Sequence, residues 1–452
     1  MLNRIIQQFK GDSLKSNLMR GGLASIAVKI FGLGFSLLTA IILARTLGPE
    51  QYGIYSYVLA IVSILAIPAM FGLPSLIVRE TAKAEVKQEW GKMRGLWFWA
   101  NSITASLSVV IAIIAALVLW LNRENFTEMQ FLTFAWGIAF IPLSALAALR
   151  GASLRGLRKV IQGQLPEQVL KPALFILMLV AVGLTGFTQL TAESAMMLNA
   201  LSAGVAFMFG AWLLLRVKPK QLSVAEREFE RKAWMASVIP LAMVAGLDIL
   251  VTETDIVMLG IFRTAEEVGI YRVAMQGGLL AAIGVSATSM IIAPYISKFA
   301  YSKDIISLEK LAKQSARLAF LIAFSATVVF AIFGEFLLSV VFGDAYLGAY
   351  WPLLFLAAGQ AVHAGMGAGG SILNMSGYEK GTLITLILAA TCNVILNWIF
   401  IPIWGIYGAA IATFLSIVFR KIVLWILVYK YLRIDSSAIG LSLSKHKVKQ
   451  GI

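Results

Sequence analysis

Apolar runs close to 20 residues long recur twelve times along this chain and occupy most of it. The stretch SLSVVIAIIAALVLWL, ending at Leu121, shows their character: it carries no charge, and nothing polar follows Ser108. A helix of about 20 residues rises ~30 Å and crosses a hydrocarbon layer with its backbone bonded internally. Strands that cross lipid alternate apolar with polar residues instead of running continuously. Composition supports the helical reading. The chain is 59% hydrophobic and 13% charged, against roughly 45–50% and about 25% in soluble domains, which is too little charge to clothe a water-facing exterior. The expected fold class is an all-α polytopic membrane protein.

The runs fall near 22–45, 52–73, 95–121, 131–149, 166–186, 194–215, 234–262, 268–296, 318–342, 347–374, 382–402 and 405–429. With the N-terminus placed in the cytoplasm, 33 of the 38 basic residues lie in cytoplasmic segments. Only Arg45, Arg123 and Arg263 fall in outer turns, and Lys29 and Arg272 lie inside spans. Cytoplasmic loops carry the excess of Lys and Arg, so both termini are expected in the cytoplasm. The net charge of +15 is then accounted for by loops beside headgroups, and no nucleic-acid partner is expected. Met1–Arg20 is basic and polar, and the first apolar run is too long for a cleavable signal. Its start, MLNRIIQQFK, puts Leu2, Ile5, Ile6 and Phe9 on one side, as an interfacial helix or simply a disordered tail.

One short motif occurs twice. LGPEQYGIY (47–55) and RTAEEVGIY (263–271) share Glu50/Glu266, Gly53/Gly269, Ile54/Ile270 and Tyr55/Tyr271 at an offset of 216 residues. Each copy falls at the outer turn between the first and second helix of a set of six. LRGLRK (154–159) and MSGYEK (375–380) repeat more weakly after the fourth helix of each set. Because six is even, the two sets enter the membrane in the same direction, a transporter plan with the binding site between the repeats. The expected organisation is a cytoplasmic segment (1–20), a six-helix bundle (21–216), a linker (217–233), a second bundle (234–430) and a basic tail (431–452).

The longest outer turn, Asn122 to Gln130, and inner loops of about 20 residues cannot hold a catalytic domain. A polytopic glycosyltransferase or polymerase is therefore disfavoured, and no enzyme is expected. Cys392 is the single cysteine, within an apolar run, and His363 and His446 have no ligand-spaced companions. Disulfides and thiolate metal sites are excluded, and no cofactor is expected beyond a coupling Na⁺ or H⁺.

Charges inside spans cost several kcal/mol unless they face protein or water. Lys29 shares a helix line with Ser25, Gly32, Ser36 and Thr39, a small polar stripe suited to a hydrated cavity; a lysine snorkelling to the cytoplasmic interface is the alternative. Lys29, Ser25, Ser36 and Arg272 are the candidate substrate-binding residues of such a cavity. In GLDILVTETDIVMLG, Asp248, Thr252 and Asp255 share a face and Glu253 points away from it. These four are the candidates for ion coupling, and the competing reading is a salt bridge from Arg272 to Asp255 or Glu253. Asn101, Thr104 and Ser108, and Asn393 with Asn397, form stripes that either meet sugar hydroxyls or hold helices together. His363 is a structural histidine or a proton shuttle. GMGAGG (365–370) follows no strand, so it marks close packing or a bend and not a dinucleotide site.

ILARTLGPEQYGIYSYVLAI, the following GLPSLIVRETAKAE and the late VVFGDAYLGAYWPLLFLAAG resemble the polysaccharide-biosynthesis membrane proteins, the Wzx-type oligosaccharide flippases of the multidrug/oligosaccharidyl-lipid/polysaccharide superfamily. The resemblance runs from about Leu18 to Leu432. It implies two six-helix bundles opening alternately to each side of a bacterial inner membrane. It also implies a substrate, an undecaprenyl-pyrophosphate-linked oligosaccharide destined for surface polysaccharide such as O-antigen, and polymerase or assembly proteins as partners beside membrane lipids. Lipid II flippases of this superfamily usually have fourteen spans, whereas only twenty mostly polar residues follow Leu432 here. Their arginine-rich cavity signature is not matched, so none of their functional residues is carried over. A cation-coupled multidrug antiporter of the same superfamily shares the twelve-helix plan and remains the alternative.

Overall fold

The computed structural model describes residues 14–185, 190–302 and 304–440. The N-terminal stretch Met1–Lys10, the side chain of Ser25 and the end of the basic tail lie outside the described part. Among the described residues every regular element is helical. Eleven of these runs are long and apolar enough to cross a membrane. The first candidate, Ala27–Met70, is two helices joined at Gly48, whose φ of 72° and ψ of 172° leave the helical region. With that run counted as two, eleven becomes twelve.

The chain divides into two compact units, Met1–Glu253 and Thr254–Ile452. In the first unit, α1 (Leu14–Met70) holds the two spans separated by Gly48, and Pro49 opens the second of them. An amphipathic helix α2 (Leu73–Lys87) leads to α3 (Trp90–Leu121) and α4 (Glu128–Gly156). Thr127 starts α4 by accepting from Gln130 N and donating its own N–H to Gln130 Oε1, which satisfies two of the helix end's orphan groups. A short α5 (Val160–Leu165) and a π-helical turn, Pro166–Leu170, run into α6 (Lys171–Thr185), and α7 (Ala192–Val217) completes the set. The fifth span therefore begins at Val160, earlier than the hydropathy suggested. Arg150 and Lys171, counted by sequence among the loop cations, sit in helices.

The polar stretch after α7 is not a free linker. It contains α8 (Lys220–Val224) and is tied to the start of α3. Arg94 donates to Ala225 O at 2.6 Å, Glu228 N to Gly91 O at 3.1 Å, and Lys92 pairs with Glu230 at 2.8 Å. The Lys92 ammonium holds the Glu230 carboxyl below its ordinary range. α9 (Arg231–Phe262) follows, and its Trp234 and Val238 join a buried cluster with Leu73, Leu76, Leu96 and Trp99. That burial of apolar surface explains why the division of the chain falls inside α9 and not at 217–233. Gly72, at φ 67°, lets Ala242 approach: a Cβ there would stand 2.4 Å from Ala242 N.

The second unit takes the end of α9 and then α10 (Ala265–Tyr301), α11 (Ile305–Phe342), α12 (Tyr350–Gly365), α13 (Gly369–Met375), α14 (Glu379–Trp404) and α15 (Ile406–Leu432). Thr264 caps α10 through Glu267 N, so the second copy of the repeated motif opens a helix as the first does after Gly48. The run expected to span 347–374 unbroken is interrupted between α12 and α13. The cause lies far away in sequence: Ala438 N bonds Gly365 O at 2.8 Å, and Ser436 O occupies the place of a Cβ on Gly367, 2.2 Å away. Gly367 turns there at φ 77°, so GMGAGG is both a bend and a close packing point.

On α3 the side chains of Ile113, Leu117 and Trp120 are exposed. At helical spacing they form a broad apolar flank, as a lipid-facing surface requires.

Candidate functional site

The chemistry of the second unit centres on Asp255, about two turns from the end of α9 and 2% exposed. Four neutral donors converge on its carboxyl group. Tyr271 of α10 donates its hydroxyl to Oδ2 at 2.8 Å, and Thr413 of α15 donates to the same oxygen. From α14, Asn397 and Asn393 donate to Oδ1 at 2.7 and 3.3 Å. Asn397 Nδ2 also bonds Asn393 Oδ1 at 3.1 Å, and Asn393 Nδ2 bonds Thr413 Oγ1 at 3.2 Å. Helical geometry builds this cage: Asn393 and Asn397 are one turn apart on one face, and Asp255 and Tyr271 flank the repeated turn.

No lysine, arginine or histidine pairs with Asp255 among the described residues. The salt bridge from Arg272 to Asp255 weighed from sequence is therefore not formed. Charge at Asp255 is met by hydrogen bonds alone, and the Asn397 Oδ1 atom is buried without a donor. As placed, two amide NH₂ groups and two hydroxyls all donate to the carboxyl group; a proton fits this set directly, and a small monovalent cation fits once the amides turn their oxygens toward it. The described residues contain no group of three His, Cys, Asp or Glu able to hold a metal ion.

The repeat shows what is particular to this unit. Applying the offset of 216 to Asp255 gives Thr39 in the first unit, sixteen residues before Tyr55 as Asp255 is before Tyr271. The Thr39 hydroxyl is buried with no partner among the described residues. One repeat carries a carboxylate where the other carries a hydroxyl.

The other residues singled out by sequence separate. Asp248 and Thr252 are exposed and, with Glu253, line a cavity of about 340 Å³ in the first unit. Glu253 was expected to point away from this face. The lining spans an arc of about 140° around α9 at ~100° per residue, from Asp248 to Glu253, which is wide enough to include it. Asp248 and Asp255 thus have different surroundings although seven residues apart. Lys29 and Ser36 are exposed on α1, Arg272 is half-buried, and Gly32 of the Lys29 stripe packs against the Gln168 carbonyl on the π-helical turn. Thr104 and Ser108 are buried, whereas Asn101 is exposed and bonds the Trp97 carbonyl of its own helix. His363 lines a small void of about 30 Å³ with Thr288 and Ser315.

Sequence reasoning did not single out Arg150. Its guanidinium, 4% exposed at the side chain, reaches Glu167 on the π-helical turn at 2.7 Å and the Ala206 and Phe207 carbonyls of α7 at 3.1 and 2.8 Å. Gly210 leaves the room for it. Thr413 was missed as well, and a lone threonine in an apolar run gives no signal.

The family model for polysaccharide biosynthesis proteins matches residues 18–300. A probable low-salt glycan biosynthesis flippase, Agl15 of Haloferax volcanii, is 25% identical over 410 residues, covering 88% of this chain and 81% of that protein. Among solved structures, the lipid II flippase MurJ in an inward closed conformation superposes with a TM-score of 0.71 at 14% identity, over 91% of this chain and 87% of that one. An inward-facing multidrug resistance transporter of the MATE family and MOP superfamily gives 0.70 at 14% identity, over 91% and 98%. The fold is that of MOP-superfamily transporters.

Proposed function

The chain belongs to the polysaccharide biosynthesis protein family, and on that premise we propose that it is a flippase that carries a polyprenyl-pyrophosphate-linked oligosaccharide across the membrane. The substrate is an undecaprenyl-linked repeat unit for surface polysaccharide, moved from the cytoplasmic leaflet of a bacterial inner membrane by alternating access. The similarity to Agl15, named as a glycan biosynthesis flippase, supports the lipid-linked glycan as cargo.

The observation that carries the transport step is the cage at Asp255. A buried carboxylate met only by neutral donors is poised to take one positive charge, as Na⁺ or as H⁺. Asp255, Asn393, Asn397 and Thr413 would hold that charge, and Tyr271 would orient the carboxylate. A bound cation supplies the link between the ion gradient and the packing of α9, α10, α14 and α15. These four helices meet at this one group, so a change in its charge alters all of their contacts together.

Lys29 is the proposed first contact for the pyrophosphate. It is exposed on α1 beside the exposed Ser36, and its point charge binds phosphate transiently, without the fixed fork of an arginine. The test uses the purified protein in vesicles with a fluorescent undecaprenyl-pyrophosphate-linked oligosaccharide, scored by its exposure to a membrane-impermeant oxidant. Flipping is expected to follow an imposed Na⁺ or H⁺ gradient and to lose that dependence in Asp255→Asn. Transport of tetraphenylphosphonium with no movement of the lipid-linked sugar would replace the flippase reading with the antiporter one.

A further inference from the structure

The cavity in the first unit has a consistent polarity. Its volume is about 340 Å³, within the range of small-molecule sites, and its walls come from the second half of α1, from α4 and from α9. Three hydroxyls line it, and each spends its proton on its own helix. Ser63 Oγ donates to Leu59 O at 2.8 Å, Ser144 Oγ to Ile141 O at 2.9 Å, and Thr252 Oγ1 to Asp248 O at 2.8 Å. A hydroxyl has one donor and two lone pairs, so each presents only acceptors to the cavity. Asp248 and Glu253 add carboxylates, Asp248 without an ion pair among the described residues, and ionised carboxylates accept only. No lysine, arginine, histidine, asparagine or glutamine lines the space. The Lys171 ammonium lies over the Phe140 ring at 4.3 Å but is not part of the lining. The remaining wall, including Met70 and Phe140, is apolar and suits the C–H face of a sugar ring.

An acceptor-only wall selects a donor-rich occupant. Resting on the flippase reading above, we propose that this cavity is the saccharide subsite of the transporter and that it takes a neutral or amino sugar and rejects an acidic one. Sugar hydroxyls and ammonium groups supply the donors that Asp248, Ser63, Ser144 and Thr252 lack. A uronate or a phosphorylated sugar brings acceptors with nothing to meet them and places like charge against Asp248, an arrangement that costs affinity for the wrong ligand.

The test measures equilibrium binding to the full-length protein in nanodiscs. The probes are undecaprenyl pyrophosphate bearing one glucose, one glucosamine or one glucuronic acid, with tetraphenylphosphonium as a sugar-free cation. The glucose and glucosamine conjugates are expected to bind at least about tenfold more tightly than the glucuronate. Asp248→Asn should narrow the gap between glucosamine and glucuronate, and Asp248→Lys should invert it. Equal binding of the three conjugates, or a ratio unchanged in Asp248→Asn, overturns the subsite and leaves the flippase reading standing. Binding of tetraphenylphosphonium with none of the three conjugates bound overturns both.

Discussion

Replacing Asp255 with asparagine keeps the shape of the cage and removes its charge. Four donors point at the carboxyl group, two at each oxygen. Asparagine presents one acceptor and one NH₂. With its oxygen toward Asn393 and Asn397, the NH₂ faces the hydroxyls of Tyr271 and Thr413, both of which can rotate to accept. The fold should therefore survive at a cost of about 1–3 kcal/mol, the range for disturbing hydrogen bonds to a buried polar group. Cation binding suffers more. Two unit charges ~4 Å apart are worth about 4 kcal/mol at an effective dielectric of ~20, close to three orders of magnitude in affinity. The assay is thermal unfolding of the purified protein across a Na⁺ titration and, separately, across pH. A cation present at 100 times its dissociation constant stabilises the folded state by about 2.7 kcal/mol, and that gain should vanish in Asp255→Asn. Na⁺ and pH responses that are both identical in wild type and variant would refute the reasoning and make the cage a structural bolt.

Other expectations follow from single contacts. Lys29→Ala should abolish flipping at normal expression and Lys29→Arg should keep part of it, scored in the vesicle assay; equal rates would leave Lys29 a snorkelling side chain. Gly367→Ala should lower the melting temperature, because the new methyl group meets Ser436 O at a φ that alanine adopts at a cost of about 1–3 kcal/mol. Arg150→Met should destabilise by about 3 kcal/mol or less, since it strips a buried guanidinium from Glu167 and two helix carbonyls while Glu167 keeps some contact with solvent. The Glu230 carboxyl binds its proton more weakly in the folded state, so its support of the α3–α9 junction is full above the ordinary glutamate range and is lost as pH falls through the depressed value. Amide exchange at the start of α3 should rise over that acid window, and the rise should be absent in Glu230→Gln.

Elements set by local chemistry were legible in the sequence. A run of about 20 apolar residues has no stable state in lipid other than a helix, so the crossing helices could be read without any partner. The two copies of the repeated motif could be matched because Gly48 with Pro49, and Thr264 with Glu267, act within a few residues of themselves. The amphipathic helix after Gly72 and the early start of the fifth span were blurred, because hydropathy registers the edge of the membrane and not the end of the helix. Tertiary structure alone decided the chemistry. Asp255 meets Asn393, Asn397 and Thr413 across 138, 142 and 158 residues, and only packing selects which polar groups share a buried space. The same packing separated Asp248 from Asp255, two acids on one helical face by count, and broke the tenth span where Ser436 presses on Gly367. Spacing places side chains on a face of a helix, but what that face meets belongs to the rest of the chain.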